Sequence, residues 1–258
     1  LLWGQSEPVL FIEDQVYADA TPIPYDGSGS VRFEVVDDRI YVNERWVGTV
    51  VVRDRWLSLK EAVEARGSAI EVVICRECSV DADFFRAMAG LKGGRIFLTL
   101  QDSWLPESLE GSPEDQQFVL SRLWALAING GEMDPGALQP WLRAHNMKWL
   151  ALRKPALSQE VVELVSEVSR LRTLMLDVRY LPSPAYALLG RLTQLLLLMV
   201  GGLVECGPEI FQAWSSLTHL KSFLLVGLPD SDGLKAWLKR VPLESIALLS
   251  EVWPVSAD

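Results

Sequence analysis

The chain is poor in the residues that do chemistry. It has 2 histidines and 3 cysteines in 258 residues. Cys75, Cys78 and Cys206 are an odd set in a chain of this length, which argues against a disulfide framework and favours a reducing compartment, the cytoplasm ahead of the periplasm or the exterior. None of the asparagines, Asn43, Asn129 and Asn146, opens an N-x-Ser/Thr sequon. No dense Lys/Arg run occurs, and acidic residues outnumber basic ones by 34 to 24. The electrostatic footprint of nucleic acid or an anionic membrane is therefore missing. The longest apolar stretch, "LLLLMV" from Leu195 followed by two glycines and "LVEC", is about half of what crosses a bilayer, so no membrane span is expected.

Signatures of catalysis are missing as well. There is no G-x-S-x-G, H-E-x-x-H, P-loop or dinucleotide fingerprint, and "LKGGRIF" lacks the Lys-Ser/Thr of a phosphate loop. "CREC", Cys75 to Cys78, has a chemical look, but a zinc site needs two further thiolates or imidazoles, and only Cys206, His145 and His219 remain. Both cysteines read better as small buried side chains. The histidines, in "RAHN" and "LTHL", fall where a helix runs out, a position that suits a helix C-terminus. Paired carboxylates such as Asp37 and Asp38, or Asp81 and Asp83, fall in turns and at helix starts, where they cap. The expectation is a non-enzyme with no cofactor and no metal.

Apolar residues are plentiful at 49% of the chain, ample for a sizeable core. The chain opens at "LLWGQSEP" without a methionine, so residues upstream are expected, with the tail of a signal or anchor one reading of those first apolar residues. The decisive pattern is "LRTLMLDVR" from Leu171, apolar at its first, fourth and sixth places. The same template reads "IEVVICREC" from Ile70, "RIFLTLQDS" from Arg95, "LWALAINGG" from Leu123 and "MKWLALRKP" from Met147. It continues with "LTQLLLLMV" from Leu192, "LKSFLLVGL" from Leu220 and "LESIALLSE" from Leu243. Successive starts are 25, 28, 24, 24, 21, 28 and 23 residues apart. A period near 25 is that of a strand-and-helix repeat.

The segments between carry an opening Ser, Asp, Gly or Pro and then apolar residues at helical spacing, as in "DADFFRAMAGL", "SQEVVELVSEVSRL" and "SDGLKAWLKRV". One strand-helix pair cannot cover its own apolar face, so the units must stack. The predicted fold class is α/β, a solenoid of about eight units with parallel strands on the concave side and helices on the convex side.

On these residues the sequence resembles the leucine-rich repeat family, L-x-x-L-x-L-x-x-N/C, and its helical outer segments are similar to the ribonuclease-inhibitor-like members. The resemblance covers roughly residues 67 to 251 and departs from the pattern at the ninth place. Cys78 fits there, whereas Ser103, Gly131, Pro155, Arg179, Val200, Leu228 and Glu251 do not. The resemblance implies divergent repeats without an asparagine ladder, and a scaffold that binds protein.

Residues 1–66 lack the repeat. "VRFEVVDDRIYVNERWVGTVVV", Val31 to Val52, alternates around an Asp-Asp and an Asn-Glu turn and reads as an antiparallel meander capping the array; "LSLKEAVEARG", Leu57 to Gly67, reads as a helix. The expected domains are thus 1–66 and 67–258. Residues 31–103 also resemble the periplasmic domain of ExbD/TolR proteins in the order hairpin, helix, strand, helix, strand. That resemblance implies a cell-envelope energy-transduction component with an appended repeat arm.

Alternation about the inward fourth and sixth places assigns places three, five, seven and eight to the concave surface. The first half presents Arg76, Glu77, Gln101, Asp102, Asn129, Trp149, Arg153, Lys154 and Asp177 there. The second half presents Met175, Leu196, Leu198, Met199, Leu224, Val226 and Leu249. Exposed Leu and Met on neighbouring strands mark an interface. The expected partner-binding set is Trp149, Arg153, Met175, Asp177, Leu196, Leu198, Met199, Leu224, Val226 and Leu249. The expected partner is another protein or a second copy, with no nucleic acid. If the cysteines are structural, the purified protein should contain no stoichiometric zinc by elemental analysis, and replacing Cys75 and Cys78 together with Ala should lower stability modestly without changing metal content.

Overall fold

A computed structural model describes residues 33–36, 39–42, 45–53 and most of 70–249. The expected helix over Leu57–Gly67 lies outside the described residues. Two compact units divide at Leu150, inside the repeat array; the expected boundary between 66 and 67 falls among residues outside the described ones.

In the first unit, residues 3–149, the strands run in sequence order: β1 (Phe33–Val36), β2 (Arg39–Val42), β3 (Arg45–Arg53), β4 (Ile70–Arg76), β5 (Ile96–Gln101) and β6 (Leu123–Asn129). β1 pairs with β2 and β2 with β3 antiparallel, while β3, β4, β5 and β6 pair in parallel. The helices are α1 (Ala82–Ala89), α2 (Pro113–Arg122) and α3 (Pro135–Leu142). α1 packs against α2. Its Phe85 also stacks on Trp141 of α3 at 5.8 Å between ring centres. The three helices therefore share one face of the sheet.

The second unit, 150–258, repeats the plan with β7 (Trp149–Ala156), β8 (Thr173–Tyr180), β9 (Leu197–Cys206), β10 (Ser222–Pro229) and β11 (Ser245–Leu249). β8 to β11 are parallel neighbours. α4 (Gln159–Ser166), α5 (Ser183–Leu188), α6 (Pro208–Ala213) and α7 (Ser231–Leu238) pack each on the next, which again places them on one face. Strand, helix and next strand in sequential parallel order, with helices on one side, is the leucine-rich-repeat architecture. A doubly wound sheet would alternate its helices between faces. The hairpin, strand, helix and strand that invited the ExbD/TolR comparison are followed by β6 on the same plan, so β4 and β5 read as the first units of the array.

Helices α1, α2 and α4 begin where the sequence offers a cap. Asp81 accepts from the Asp83 and Phe84 amides, both at 3.0 Å, Ser112 from Asp115 and Ser158 from Val161. The exits of α3, α4, α5 and α6 follow one pattern. Ala144 donates its N–H to the Trp141 carbonyl and Met147 to Ala144; Val168 to Val165 and Leu171 to Val168; Leu192 to Leu189 and Leu195 to Leu192; Leu217 to Trp214 and Leu220 to Leu217. All of these residues are buried. This pair of three-residue turns leads from α3, α4, α5 and α6 into the next strand, and the strand-entry residues are Met147, Leu171, Leu195 and Leu220, 24, 24 and 25 residues apart.

That motif corrects the expected register of β9. Leu192 corresponds to Val168, not to Leu171, so the unit begins three residues later, at Leu195. The pairing agrees, with Leu174 opposite Leu198 and Leu176 opposite Val200. Leu198, expected on the surface, is fully buried at 0% exposure, and Leu197, expected inside, is half-buried. Place eight also turns inward, since Lys154 and Val178 are buried. Strand alternation simply continues through places four, six and eight.

Tight stacking leaves little room between units. A Cβ on Gly190 would meet the Ala213 carbonyl oxygen at 2.4 Å, and Trp214 Nε1 donates to the Tyr186 carbonyl at 2.7 Å across the same junction. Phe211, Trp214, Phe223 and Trp237 form one ring cluster with centres 4.9 to 6.1 Å apart. With the corrected register, Leu198→Ala should destabilise by about 2–5 kcal/mol as a buried truncation and Leu197→Ala by clearly less. Urea unfolding of the two variants checks the order; equal losses, or the reverse, would contradict it.

Candidate functional site

The candidate surface is the sheet face that carries no helix. In the second unit its rows follow from strand pairing. Thr173, Leu197, Ser222 and Ser245 form one row, and Met175, Met199, Leu224 and Ala247 the next. Short Thr173 and Ser222 are buried, flanking half-buried Leu197, and the Ser245 hydroxyl donates to that of Ser222 at 3.2 Å. Met175, Met199 and Leu224 are half-buried, an apolar row whose flexible thioethers can adapt to a partner.

A charged row lies beyond. Arg153 Nε of β7 and Asp177 Oδ2 of β8 are 3.1 Å apart, both partly solvated. Gly201 sits beside Asp177, and a Cβ there would approach its Oδ1 at 2.9 Å, so glycine leaves the carboxylate its room. Such an exposed pair contributes under about 1 kcal/mol to stability and acts mainly on orientation and specificity.

Of the expected partner-binding residues, the face thus brings together Arg153, Met175, Asp177, Met199 and Leu224. Leu196 is half-buried just before β9, its N–H bonded to the Arg172 carbonyl at 2.7 Å. The side chain of Leu249 lies outside the described residues. Leu198 is withdrawn by the register correction. Val226 is withdrawn too: it is 4% exposed, because the pairing of β10 with β9 shifts between Leu225 and Gly227 and breaks the alternation there. Trp149 is 1% exposed and so is not presented to solvent. Alternation with the helix-facing Leu150 and Leu152 puts it on the helix-free side, where it is nevertheless buried. Leu197 is the residue the sequence reading missed; Leu171 aligned with Leu195 would have found it.

Among the described residues two titratable groups depart clearly from their ordinary values. Glu160 has its carboxyl held below the usual range by the backbone N–H at the start of α4 and by the Ser158 hydroxyl, with slight opposition from burial. Burial alone lowers the Arg170 guanidinium. The Glu160 shift is a helix-start effect. Among the described residues no group of three or more His, Cys, Asp or Glu side chains is placed to hold a metal ion, and Cys75 is buried inside β4.

No family model matches the chain, and no curated protein matches it. Among solved structures, an internalin from Listeria monocytogenes is similar over 77% of this chain at 15% identity and a TM-score of 0.43. The chain spans about half that protein's length, 52%. The repeat architecture rests on the chain's own pairing and periodicity.

The depressed Glu160 carboxyl has a signed consequence. Its folded-state value lies below the unfolded one, so its contribution is present above the ordinary carboxylate range and is lost as pH falls through the folded value. Glu160→Gln should therefore lower the melting temperature slightly at neutral pH, and the gap to the unsubstituted protein should close in acid. A gap that stays constant with pH would show the charge to be irrelevant.

Proposed function

We propose that the chain is a non-catalytic leucine-rich-repeat scaffold, with helix-backed units of the ribonuclease-inhibitor-like kind, that binds another protein through the helix-free face of residues 150–258. The observation that carries this reading is the row Met175, Met199 and Leu224, apolar, half-buried and continuous across three parallel strands. A row of that kind, beside Leu197 and bordered by the Arg153–Asp177 pair, offers an adaptable apolar centre with a charged rim. Rows of Leu and Met are unsuited to acid-base or nucleophilic chemistry, which supports a binding role. The three cysteines favour a reducing compartment for it.

The test is comparative. Met175→Glu and Leu224→Glu should each abolish capture of a specific protein in an affinity pull-down read by mass spectrometry, or abolish self-association in sedimentation. Their stability should change by about 1 kcal/mol at most, since neither side chain fills the core. Identical captured sets from both variants and the unsubstituted chain would remove this face from consideration.

A further inference from the structure

Among the described residues three large apolar side chains are exposed, Phe118, Ile246 and Leu248, and two of them stand together on β11. Ile246 and Leu248 continue the inner rows through Phe223 and Leu225, on the side of the sheet that carries the helices, where the corresponding residues of β8, β9 and β10 are buried. Among the described residues β11 has a strand neighbour on one side only, β10. Ser245 donates its N–H to the Lys221 carbonyl at the start of β10, at 3.1 Å. Successive residues of a parallel ladder turn their backbone groups to opposite neighbours, so the N–H and C=O of Ile246 and Leu248 point to the other edge. Natural edge strands are ordinarily protected by a charge, a proline or a bulge. Ser245–Leu249 has no charged residue and no proline, and its pairing with β10 runs without a register shift.

We propose that β11 pairs antiparallel with β11 of a second copy of this chain, about a two-fold axis through Ala247. The strand is complementary to itself in that register. Ile246 faces Leu248 of the copy and Leu248 faces its Ile246, so the exposed side chains cover each other in both directions while their outward N–H and C=O groups exchange hydrogen bonds. Ala247 faces its own counterpart between them, a pair small enough for the backbones to close. The helices add a complementarity of charge. α7 runs back from the end of β10 to the start of β11, so the axis sets it antiparallel to its counterpart, two strand spacings or roughly 10 Å away, a distance at which helices pack. Exposed Asp232, in the first turn of α7, then lies at the end of the copy's helix that carries exposed Lys239 and Arg240. Ile246 and Leu248 of both chains are enclosed beneath this helix pair. Both helix-free faces emerge on the same side of the joined sheet, and the pairing does not rest on the use proposed for them above.

Sedimentation velocity of the full chain should show a dimer that dissociates on dilution. Leu248→Lys, and independently Ile246→Lys, should weaken it at least about tenfold while the circular dichroism spectrum stays as it was, because neither side chain fills the core of its own chain. Asp232→Lys should weaken it as well, and its combination with Lys239→Asp and Arg240→Asp should restore it. Ala247→Cys reads the register. A non-hydrogen-bonded antiparallel pair sets its Cα atoms about 4.5 Å apart, within reach of a disulfide, so mild oxidation should link two chains, and peptide mass spectrometry should find the bridge at position 247 rather than at Cys75, Cys78 or Cys206. Leu224→Glu, on the helix-free face, should leave the dimer intact. A chain that stays monomeric up to about 100 μM overturns the proposal, and is the result expected if residues 250–258 take the edge instead. So does a dimer lost in Leu224→Glu and kept in Leu248→Lys, which would assign self-association to the helix-free face.

Discussion

Everything in this molecule depends on the inability of one strand and one helix to bury their shared apolar surface. Leu174 and Leu176 of β8 are hidden because Leu198 and Val200 stand beside them, and those because Phe223 and Leu225 follow. The same two rows end on β11 at Ile246 and Leu248, which are exposed. Burial is thus a property of position in the stack rather than of residue type, as expected of a quasi-one-dimensional fold in which each unit is stabilised by its neighbours. The ring cluster of Phe211, Trp214, Phe223 and Trp237 applies the rule on the helix side, where large side chains bridge consecutive units.

The recurring exits from the helices show how the chain holds that stack in register. Two three-residue turns place a buried residue at Val168 and Leu171, and again at Leu192 and Leu195, and at Leu217 and Leu220. Their hydrogen bonds satisfy carbonyls that a helix end leaves unpaired, while their side chains anchor the floor of the next strand. Spacing between strand entries then varies by only one residue from β7 to β10. A period that regular keeps like places side by side. The half-buried row of Met175, Met199 and Leu224 is a by-product of the inner rows being held in line.

Strand existence and order, and the helices between, were legible because the template reports apolar places one, four and six, the ones that packing constrains. Register in β9 was not. Leu192, Leu195 and Leu198 stand three apart, so the template fits at Leu192 and at Leu195 alike, and only the turn hydrogen bonds and the Leu174–Leu198 pairing distinguish the two. The cost of that ambiguity falls on the site. A three-residue slip exchanges inside for outside, because the strand period is two, and it turned buried Leu198 into a surface residue. Val226 escaped for a different reason, an irregularity in pairing that no local pattern announces.

Trp149 marks a further limit of reading a face from alternation. Alternation states which side of a sheet a residue occupies and not whether it meets solvent, and Trp149, expected on the open surface, is buried. Whether a side meets solvent is a separate matter, of which the strand's own residues carry little trace. The composition of the two faces differs. Ala125, Ala127 and Thr99 are small residues on adjoining strands, whereas the equivalent places beside Thr173 and Ser222 hold Met175, Met199 and Leu224. A face of short side chains lets another segment approach the sheet closely; a face of long flexible ones stands proud and adapts to what meets it. The two units share one plan and differ in side-chain length on their helix-free rows.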